Sequence, residues 1–321
     1  MHHRSDPSSY PWSNGDAPDG EIEDYEIMVM GYDYGDLADM GDGTSEENYE
    51  TEAANSGPRH KIVTDDNGNV TLKIGSEVDD EADGQESAAA DGDATEVDDE
   101  DGFDPSGYMF VTGQAQTIDI PVMNMTGGDA KLTVYVDWNN DGAFDGTDEM
   151  HSTTVADLAT TAQITVTPPT ASTTLNDELG FRIRLTTDVA MSPEGDASDG
   201  EIEDYLITVM GFDYGDLIDG TAGTDEQDYQ TQSANGGPSH KIITNEDDMA
   251  LLKIGAELDD EADGQQSSNA TGDVTDIDDE DGFDPSAIMF QTNMPEDITI
   301  PVMNMTGEQA KLVFYIDWNN D

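Results

Sequence analysis

The segment that begins at Asp137 has the residue types and spacing of a calcium-binding loop. It runs DWNNDGAFDGTDE, with oxygen-bearing side chains at positions 1, 3 and 5 and glycine at position 6. In such loops these oxygens, a backbone carbonyl at position 7 and acidic groups near positions 9 and 12 surround Ca²⁺. An Asn/Asp/Gly hairpin turn is the alternative interpretation. The predicted ligands are Asp137, Asn139, Asp141, Asp145, Asp148 and Glu149.

Two neighbouring acidic segments, DDEADGQ (79–85) and GDATEVDDEDGF (92–103), carry a second set of candidate ligands. Their carboxylates would repel one another in a folded structure unless a cation neutralised them. Oxygen-only ligands favour Ca²⁺ over transition metals. The alternative is a solvated, linker-like run of charge. The candidates are Asp79, Asp80, Glu81, Asp83, Asp93, Asp98, Asp99, Glu100 and Asp101.

Both patterns occur twice, because residues 15–141 align without a gap with residues 195–321, at a constant offset of 180 (195 − 15). Such fixed spacing is typical of tandem repeats. The second copy of the acidic segments contains Asp259, Asp260, Glu261, Asp263, Asp273, Asp278, Asp279, Glu280 and Asp281. The second copy of the loop contains Asp317, Asn319 and Asp321. We therefore interpret the sequence as a window on a longer covalent array, or as a protomer whose ends are completed by neighbours.

Two motifs that combine acidic and aromatic residues complete the candidate list. GEIEDY occurs at 20–25 and 200–205, and its carboxylates either close the same cation sites or form the outward face of a strand. YDYGDL (32–37) is repeated as FDYGDL (212–217). The candidate ligands from these motifs are Glu203, Asp204, Asp33, Asp36, Asp213 and Asp216.

The charge of the chain restricts its partners. With 74 acidic and 10 basic residues, the formal net charge of −64 excludes nucleic acid and anionic membranes as partners and calls for counter-ions. A halophilic surface would also be acidic, but here Asp is packed with Gly and Asn at fixed loop spacings, which favours calcium. The absence of cysteine excludes disulfides and thiolate zinc sites. No apolar run is long enough for membrane insertion.

The elements that must position these ligands are predicted to be all β. Residues 31–103 are rich in Gly, Asp, Asn and Ser, so we expect a loop-rich segment that is ordered by bound cations. Period-two alternation in residues 104–210 predicts an antiparallel β-sandwich of the immunoglobulin or jelly-roll kind. Pro121 predicts an edge strand or a bulge. The predicted strands are YMFVT (108–112), TIDIPV (117–122), KLTVYVDW (131–138), MHSTTV (150–155), AQITVT (162–167), FRIRLTT (181–187) and EIEDYLITVM (201–210).

The domain organisation follows the repeat. Residues 1–30 are predicted to end a preceding sandwich with its last strand, and residues 284–321 to supply the first strands of a next, incomplete sandwich. Between them we expect an acidic loop-rich module (31–103), a complete sandwich (104–210) and a second acidic module (211–283). Because incomplete sheets expose strand edges, the expected partner is the chain itself, in a head-to-tail homopolymer or a longer covalent array.

The succession of DYGDL, GPRHKI, LKIGSEVDDEADGQ and DDEDGF, then a sandwich with DWNNDGAFD that closes on DGEIEDY, resembles the GEVED-type repeat of large secreted bacterial surface proteins and adhesins. The resemblance covers nearly the whole chain, with Ile22 and Ile202 where the family has Val. It implies an extracellular or cell-surface, β-rich module that is loaded with calcium and has no assigned chemistry.

Three classes of function remain. The favoured one is a calcium-stabilised structural repeat protein that forms a surface stalk, matrix or self-assembling fibre, with several Ca²⁺ ions per repeat. The alternative is an adhesin or carbohydrate-binding module that presents Trp138, Tyr108 and Tyr135 to surface glycans. A hydrolase with paired carboxylates is least favoured, because nothing distinguishes a proton donor from its neighbours. We therefore expect no catalytic residues.

Overall fold

The computed structural model of the chain describes residues 23–25, 29–92, 99–170, 173–220, 223, 226, 228–245, 248–272 and 279–319. Residues 31–321 form one compact unit and residues 1–30 form another. The described residues of the shorter unit, 23–25 and 29–30, are not in a strand, although the sequence predicted one there. The predicted ligands Asp93, Asp98, Asp273, Asp278 and Asp321 lie outside the described residues.

The regular secondary structure of the described residues is nearly all β, which confirms the predicted class. Each of the seven segments predicted as strands in residues 104–210 contains a strand. Regular helix is limited to short 3₁₀ turns in the described residues. In chain order the strands are Tyr32–Tyr34 (β1), Arg59–Lys61 (β2), Leu72–Ile74 (β3), Phe110–Val111 (β4), Gln116–Asn124 (β5), Ala130–Val136 (β6), Met150–Val155 (β7), Thr161–Val166 (β8), Glu178–Thr186 (β9), Asp196–Ala197 (β10), Glu201–Met210 (β11), Phe212–Tyr214 (β12), Ser239–Lys241 (β13), Leu252–Ile254 (β14) and Val302–Asn304 (β15).

Two of the sheets pack face to face around the main core. The larger has the strand order β4–β11–β9–β6–β7, and the smaller has the order β3–β5–β8. Successive side chains point to opposite faces of a strand, and in β8 every second residue is therefore buried. Ile118 on β5 and Ile183 on β9 are both fully buried in this shared core. Each such side chain stabilises the fold by about 1.5–3 kcal/mol relative to an exposed one.

Pro121 lies inside the smaller sheet, which corrects the expectation of an edge strand. β5 is the central strand of its sheet. It pairs with β8 from Gln116 to Pro121 and with β3 from Val122 to Asn124. Pro121 therefore falls where one ladder ends and the next begins, a position that tolerates the missing N–H.

The acidic segment 31–103 is joined to the sandwich rather than separate from it. Its strand β3 belongs to the smaller sheet, and β1 pairs with β2, which also pairs with β10. In the second acidic segment, β12 pairs with β13 in the register of β1 with β2, and β14 pairs with β15 in the register of β3 with β5. Of the described residues after 283, Val302–Asn304 alone form a strand.

In the described residues, no helix has the length and apolar character needed to cross a bilayer.

Candidate metal centre

The site is built around the first half of β11. Its residues 201–205 are all buried, because they pair with β9 in the larger sheet and are covered by the first acidic segment. Period two places Glu201 and Glu203 on the same face as the core residue Tyr205, and Asp204 on the opposite face. One strand thus presents carboxylates on both of its faces.

Three carboxylates of the first acidic segment meet beside this strand. Ligand atoms of Asp33, Glu81 and Asp99 all lie within 4.8 Å of one another, and we call this group the first triad. Asp33 and Asp99 are buried, with 0% and 2% exposure. Backbone amides orient the group, because the Glu81 Oε2 accepts a hydrogen bond from the Tyr34 N–H (3.0 Å) and the Asp99 Oδ2 accepts one from the Asp79 N–H (3.2 Å).

The first triad is connected directly to β11. Asp33 accepts a hydrogen bond from the Ile202 N–H through Oδ2 (2.7 Å), while its Oδ1 is buried and has no hydrogen-bond partner among the described residues. Glu201 accepts a hydrogen bond from the Ile74 N–H through Oε2. Its Oε1 is likewise buried and without a partner in the described part of the chain. Two buried carboxylate oxygens, one on each side chain, therefore lack a hydrogen-bond partner among the described residues.

Burial and crowding make these carboxylates costly to ionise. Desolvation raises the pKa of Asp33 well above its usual value, and the charges of Asp99, Glu201 and Glu81 raise it further. Burial raises the pKa of Glu81 to about 10, with a hydrogen bond to Asp79 and the charge of Asp99 as further causes. The pKa of Glu201 is raised well above its usual value by burial and by the charge of Glu203. Near neutral pH the cluster must hold either protons or a cation.

The second acidic segment assembles the same group. Ligand atoms of Asp213, Glu261 and Asp279 lie within 4.8 Å of one another, and we call this group the second triad. The Glu261 Oε2 accepts a hydrogen bond from the Tyr214 N–H (2.9 Å), as Glu81 does from Tyr34. Burial raises the pKa of Glu261 to about 9, with Asp213 and Asp259 adding to the rise. Asp213 and Asp279 are only partly buried.

Residues 131–208 match the GEVED domain family. This GEVED region runs from β6 into β11, so it contains the Asp137 loop and the carboxylates of Glu201, Glu203 and Asp204. The match agrees with the resemblance that the sequence motifs gave. A comparison with curated proteins found no match.

Within the GEVED region, the Asp137 loop is closed by its own hydrogen bonds. The Asp137 Oδ2 accepts from the Tyr49 hydroxyl (3.0 Å) and the Gly142 N–H (2.8 Å), and its Oδ1 accepts from the Asp141 N–H (3.1 Å). Gly142 has a φ of 79°, and a Cβ there would lie 2.0 Å from the Ser45 carbonyl oxygen. The turn therefore requires glycine for both conformation and space.

The acidic groups of this loop do not meet as the triads do. Among the described residues, the first and second triads are the groups of three whose ligand atoms lie within 4.8 Å of one another. Burial raises the pKa of Asp137 to about 6. It raises the pKa of Glu149 to about 7, and the charges of Asp137, Asp141 and Asp145 contribute. Asn139, Asp141, Asp145 and Asp148 are exposed. Calcium binding by this loop stays a prediction.

Asp204 of the GEVED region is engaged in a buried ion pair. Its Oδ1 lies 2.7 Å from the Arg182 Nε, and its Oδ2 accepts hydrogen bonds from the Asp36 and Leu37 N–H groups (2.8 and 3.1 Å). It therefore connects the first acidic segment to the sandwich through an arginine. Since it lies on the face of β11 opposite Glu201 and Glu203, it is not part of the first triad.

The other predicted ligands are dispersed. Asp83 and Asp101 are exposed and accept backbone hydrogen bonds, from Ala53 (2.7 Å) and Ser76 (2.7 Å). The corresponding contacts of the second segment are Asp263 with Ser233 (2.6 Å) and Asp281 with Ala256 (2.8 Å). Asp317 accepts from the Tyr229 hydroxyl (3.2 Å), and the Asn319 N–H donates to Asp317 (3.2 Å). Seven further predicted ligands also lie outside both triads: Asp79, Asp80, Glu100, Asp216, Asp259, Asp260 and Glu280.

Sequence reasoning missed Asp39 and left Glu201 out of the ligand set. The Glu201 carboxylate belongs to the GEIEDY motif, whose acidic residues were expected either to close a cation site or to form the outward face of a strand. The full burial of Glu201, Glu203 and Asp204 corrects the second expectation. Asp39 organises the first acidic segment by accepting hydrogen bonds from the Thr51 and Glu52 N–H groups (3.0 and 2.9 Å). Its counterpart Asp219 does the same for Thr231 (2.8 Å). The recurrence of this aspartate at the repeat offset was the available signal.

Proposed function

We propose that the chain is a structural, extracellular repeat protein stabilised by calcium and belonging to a surface stalk, matrix or self-assembling fibre. The observation that carries this proposal is the first triad, three carboxylates of which Asp33 and Asp99 are buried, with an unpartnered oxygen on Asp33 among the described residues. Buried carboxylates need a counter-charge, since an isolated ionised group in an apolar interior is strongly unfavourable. Structural cation binding is the role that this arrangement supports best.

The choice of calcium follows from the donors. Both triads contain carboxylate oxygens and neither histidine nor cysteine. Hard oxygen ligands suit Ca²⁺, which accepts six to eight oxygens in flexible geometries, and several of them come from backbone carbonyls and water. The Asp137 loop is proposed as a further calcium site in the same repeat. The triad and the Asp137 loop together account for several ions per repeat, and recurrence of the triad in the second acidic segment supports one such site in each copy.

Self-association is part of the proposal, and exposed apolar residues after 251 support it. Leu252, Ile254 and Val302 are 42%, 49% and 58% exposed, whereas their counterparts at the repeat offset are Leu72, Ile74 and Val122, with 1%, 0% and 4%. Trp318 is 72% exposed, and its counterpart Trp138 is 1% exposed. Strands of a neighbouring unit, in a head-to-tail homopolymer or a covalent array, would cover this face.

The adhesin alternative gains no support from its proposed aromatic residues. Trp138 is buried and donates its Nε1–H to the Asp148 carbonyl (2.9 Å). Tyr135 is fully buried, and the Tyr108 hydroxyl accepts a hydrogen bond from the Asp119 N–H (3.3 Å). These three side chains do not form an exposed stacking surface for glycans.

The test is thermal unfolding of the full chain in Ca²⁺ and in excess chelator at matched ionic strength. A ligand that binds only the folded state stabilises it by about 2.7 kcal/mol at 100 times its Kd. We expect the Tm to rise with Ca²⁺ concentration, and residues 31–103 to become more sensitive to protease after chelation. An unchanged Tm would remove the calcium proposal and restore the halophilic interpretation of the acidic surface.

Self-association has its own measurement, sedimentation velocity at high protein concentration in millimolar Ca²⁺. Head-to-tail assembly predicts particles that grow with protein concentration, because a heterologous contact does not close on itself. A single monomeric species under these conditions would contradict the homopolymer.

A further inference from the structure

The best-defined unassigned feature is the contact between the first triad and β11. The triad belongs to residues 33–99, and β11 begins at Glu201, so the contact joins segments that are far apart in the sequence. We propose that Glu201 is a direct ligand of the cation held by Asp33, Glu81 and Asp99, so that the ion clasps the first acidic segment onto the sandwich. This inference rests on the proposed cation-stabilised function and adds the ligand and the role of the ion.

The orphaned oxygens provide the first support. The Asp33 Oδ1 and the Glu201 Oε1 are both buried without a hydrogen-bond partner among the described residues, and both side chains belong to residues with 0% exposure. An unsatisfied buried acceptor costs about 1–3 kcal/mol, and more when it is charged. The charge of Glu201 acts on Asp33, and that of Asp99 acts on Glu201, so the Glu201 carboxylate lies near the triad.

The backbone contacts around Glu201 provide the second support. Ile202 of β11 donates to Asp33, and Ile74 of the acidic segment donates to Glu201. Each carboxylate is therefore oriented by an amide of the opposite segment, and each retains its second oxygen for another partner. Such reciprocal contacts fix both side chains before a cation arrives, which reduces the entropy lost on binding.

Glu203 differs from Glu201 and acts as a positioning residue. Its Oε1 accepts hydrogen bonds from the Gly102 and Asp101 N–H groups (2.9 and 3.3 Å), and its Oε2 accepts one from the Tyr205 hydroxyl (3.0 Å). Both oxygens are thus engaged with the chain around Asp99. Glu203 holds the segment that carries Asp99 against β11 and so places that ligand beside Glu201.

The arginines of the region are already engaged. Arg182 pairs with Asp204, and the Arg184 Nε donates to the His60 Nε2 (2.8 Å) while its other nitrogens bind carbonyls of residues 192–195. Lys73 lowers the pKa of Glu201, but its ammonium group donates to the Ser76 carbonyl. The triad and the nearby Glu201 carboxylate therefore interact where the described arginines are engaged elsewhere, which favours a divalent ion.

The experiment measures binding and stability of Glu201→Gln in the full chain, with Glu178→Gln as the matched control. Glu178 is exposed on the neighbouring strand β9. Binding is followed by tyrosine-sensitised luminescence of Tb³⁺, a substitute for Ca²⁺, with Ca²⁺ as competitor. We expect Glu201→Gln to weaken the tightest site at least about tenfold, the lower end of the effect of losing even an outer-shell partner. The control should bind as the wild type does.

Stability supplies a second readout that a merely structural role would not reproduce. Glutamine can still accept from Ile74, and it removes a buried charge, so Glu201→Gln should unfold at the same temperature as the wild type, or higher, in chelator. In saturating Ca²⁺ it should unfold at a lower temperature than the wild type. Asp33→Asn should show the same reversal. A lower Tm in both conditions would assign Glu201 a structural role only.

The outcomes separate the clasp from the proposed function. If Ca²⁺ raises the wild-type Tm but Glu201→Gln keeps wild-type affinity and the same Ca²⁺-dependent shift, the clasp is wrong and calcium stabilisation stands. If Ca²⁺ leaves the wild-type Tm unchanged, both fail. Hydrogen exchange gives the spatial check, because chelation should speed exchange of the Ile74 and Ile202 amides in the wild type and have little further effect in Glu201→Gln.

Discussion

The two acidic segments share the motifs of the repeat, yet the structure buries them to different degrees. Both assemble a triad, and both use the same strand pairing, with Asp33 opposite His60 and Asp213 opposite His240. In the first segment, Asp33 and His60 are fully buried, whereas in the second, His240 is exposed and Asp213 is partly buried. The difference is that β11 covers the first segment.

This contrast separates what a segment does alone from what its neighbour adds. The triad is produced locally, because the Glu81 N–H donates to the Tyr32 carbonyl (2.9 Å) in the first segment and the Glu261 N–H donates to the Phe212 carbonyl (2.8 Å) in the second. Burial, and with it the high cost of uncompensated charge, comes from β11. The first triad should therefore depend more strongly on a cation for its stability than the second.

The largest expected difference concerns packing. Ile74→Ala should destabilise the fold by about 2–5 kcal/mol, because it empties a fully buried position in the shared core. The matched change Ile254→Ala removes a side chain that is 49% exposed and should cost less than about 0.5 kcal/mol. Chemical denaturation of both variants checks the pair. Equal losses would mean that residues 252–254 are covered as residues 72–74 are.

The pH dependence of the chelated protein is the next effect. The pKa of Glu81 in the folded state is raised to about 10 from an ordinary value of 4.5. At a pH between these two values, the folded state keeps a proton that the unfolded state has lost. The free energy of unfolding should therefore fall as pH rises, by about 1.4 kcal/mol per unit for each such group. Saturating Ca²⁺ should remove this decline, because the ion replaces the proton.

Thermal unfolding between about pH 7 and about pH 9 tests this dependence, with Glu81→Gln and Glu261→Gln to divide the effect between the triads. Glu81→Gln should flatten the profile more than Glu261→Gln does. A chelated wild-type protein that is more stable at the higher pH would contradict the account of the buried carboxylates.

A smaller difference is expected at the repeated histidine. Burial lowers the pKa of His60 well below its usual value, and the charge of Arg184 lowers it further, so the ring is neutral and accepts the Arg184 Nε–H. His60→Ala leaves that buried donor unpaired and should cost about 1–3 kcal/mol. His240→Ala, at the exposed counterpart, should change the free energy of unfolding by less than about 0.5 kcal/mol. A similar loss at both positions would show that the two segments are equally covered.

The strands of the sandwich could be predicted because their apolar residues alternate, as Ile118, Ile120 and Val122 do on β5. Asp33, Glu81 and Asp99 could be predicted as cation ligands because each of them recurs in the second copy of the repeat. Their convergence could not, because it depends on β1, on two loops and on backbone hydrogen bonds that residue spacing does not specify. Whether Glu201 faces a cation site or solvent stayed open, because burial of both faces of β11 depends on the first acidic segment packing against it.

The proposed divalent cation lies between the first triad and β11. The most direct test is an anomalous difference map from crystals of the full chain grown with Tb³⁺ in place of Ca²⁺. We expect a peak within bonding distance of Asp33, Glu81, Asp99 and the Glu201 Oε1. Peaks confined to the Asp137 loop or the exposed acidic surface, with none between Asp33 and Glu201, would contradict the claim.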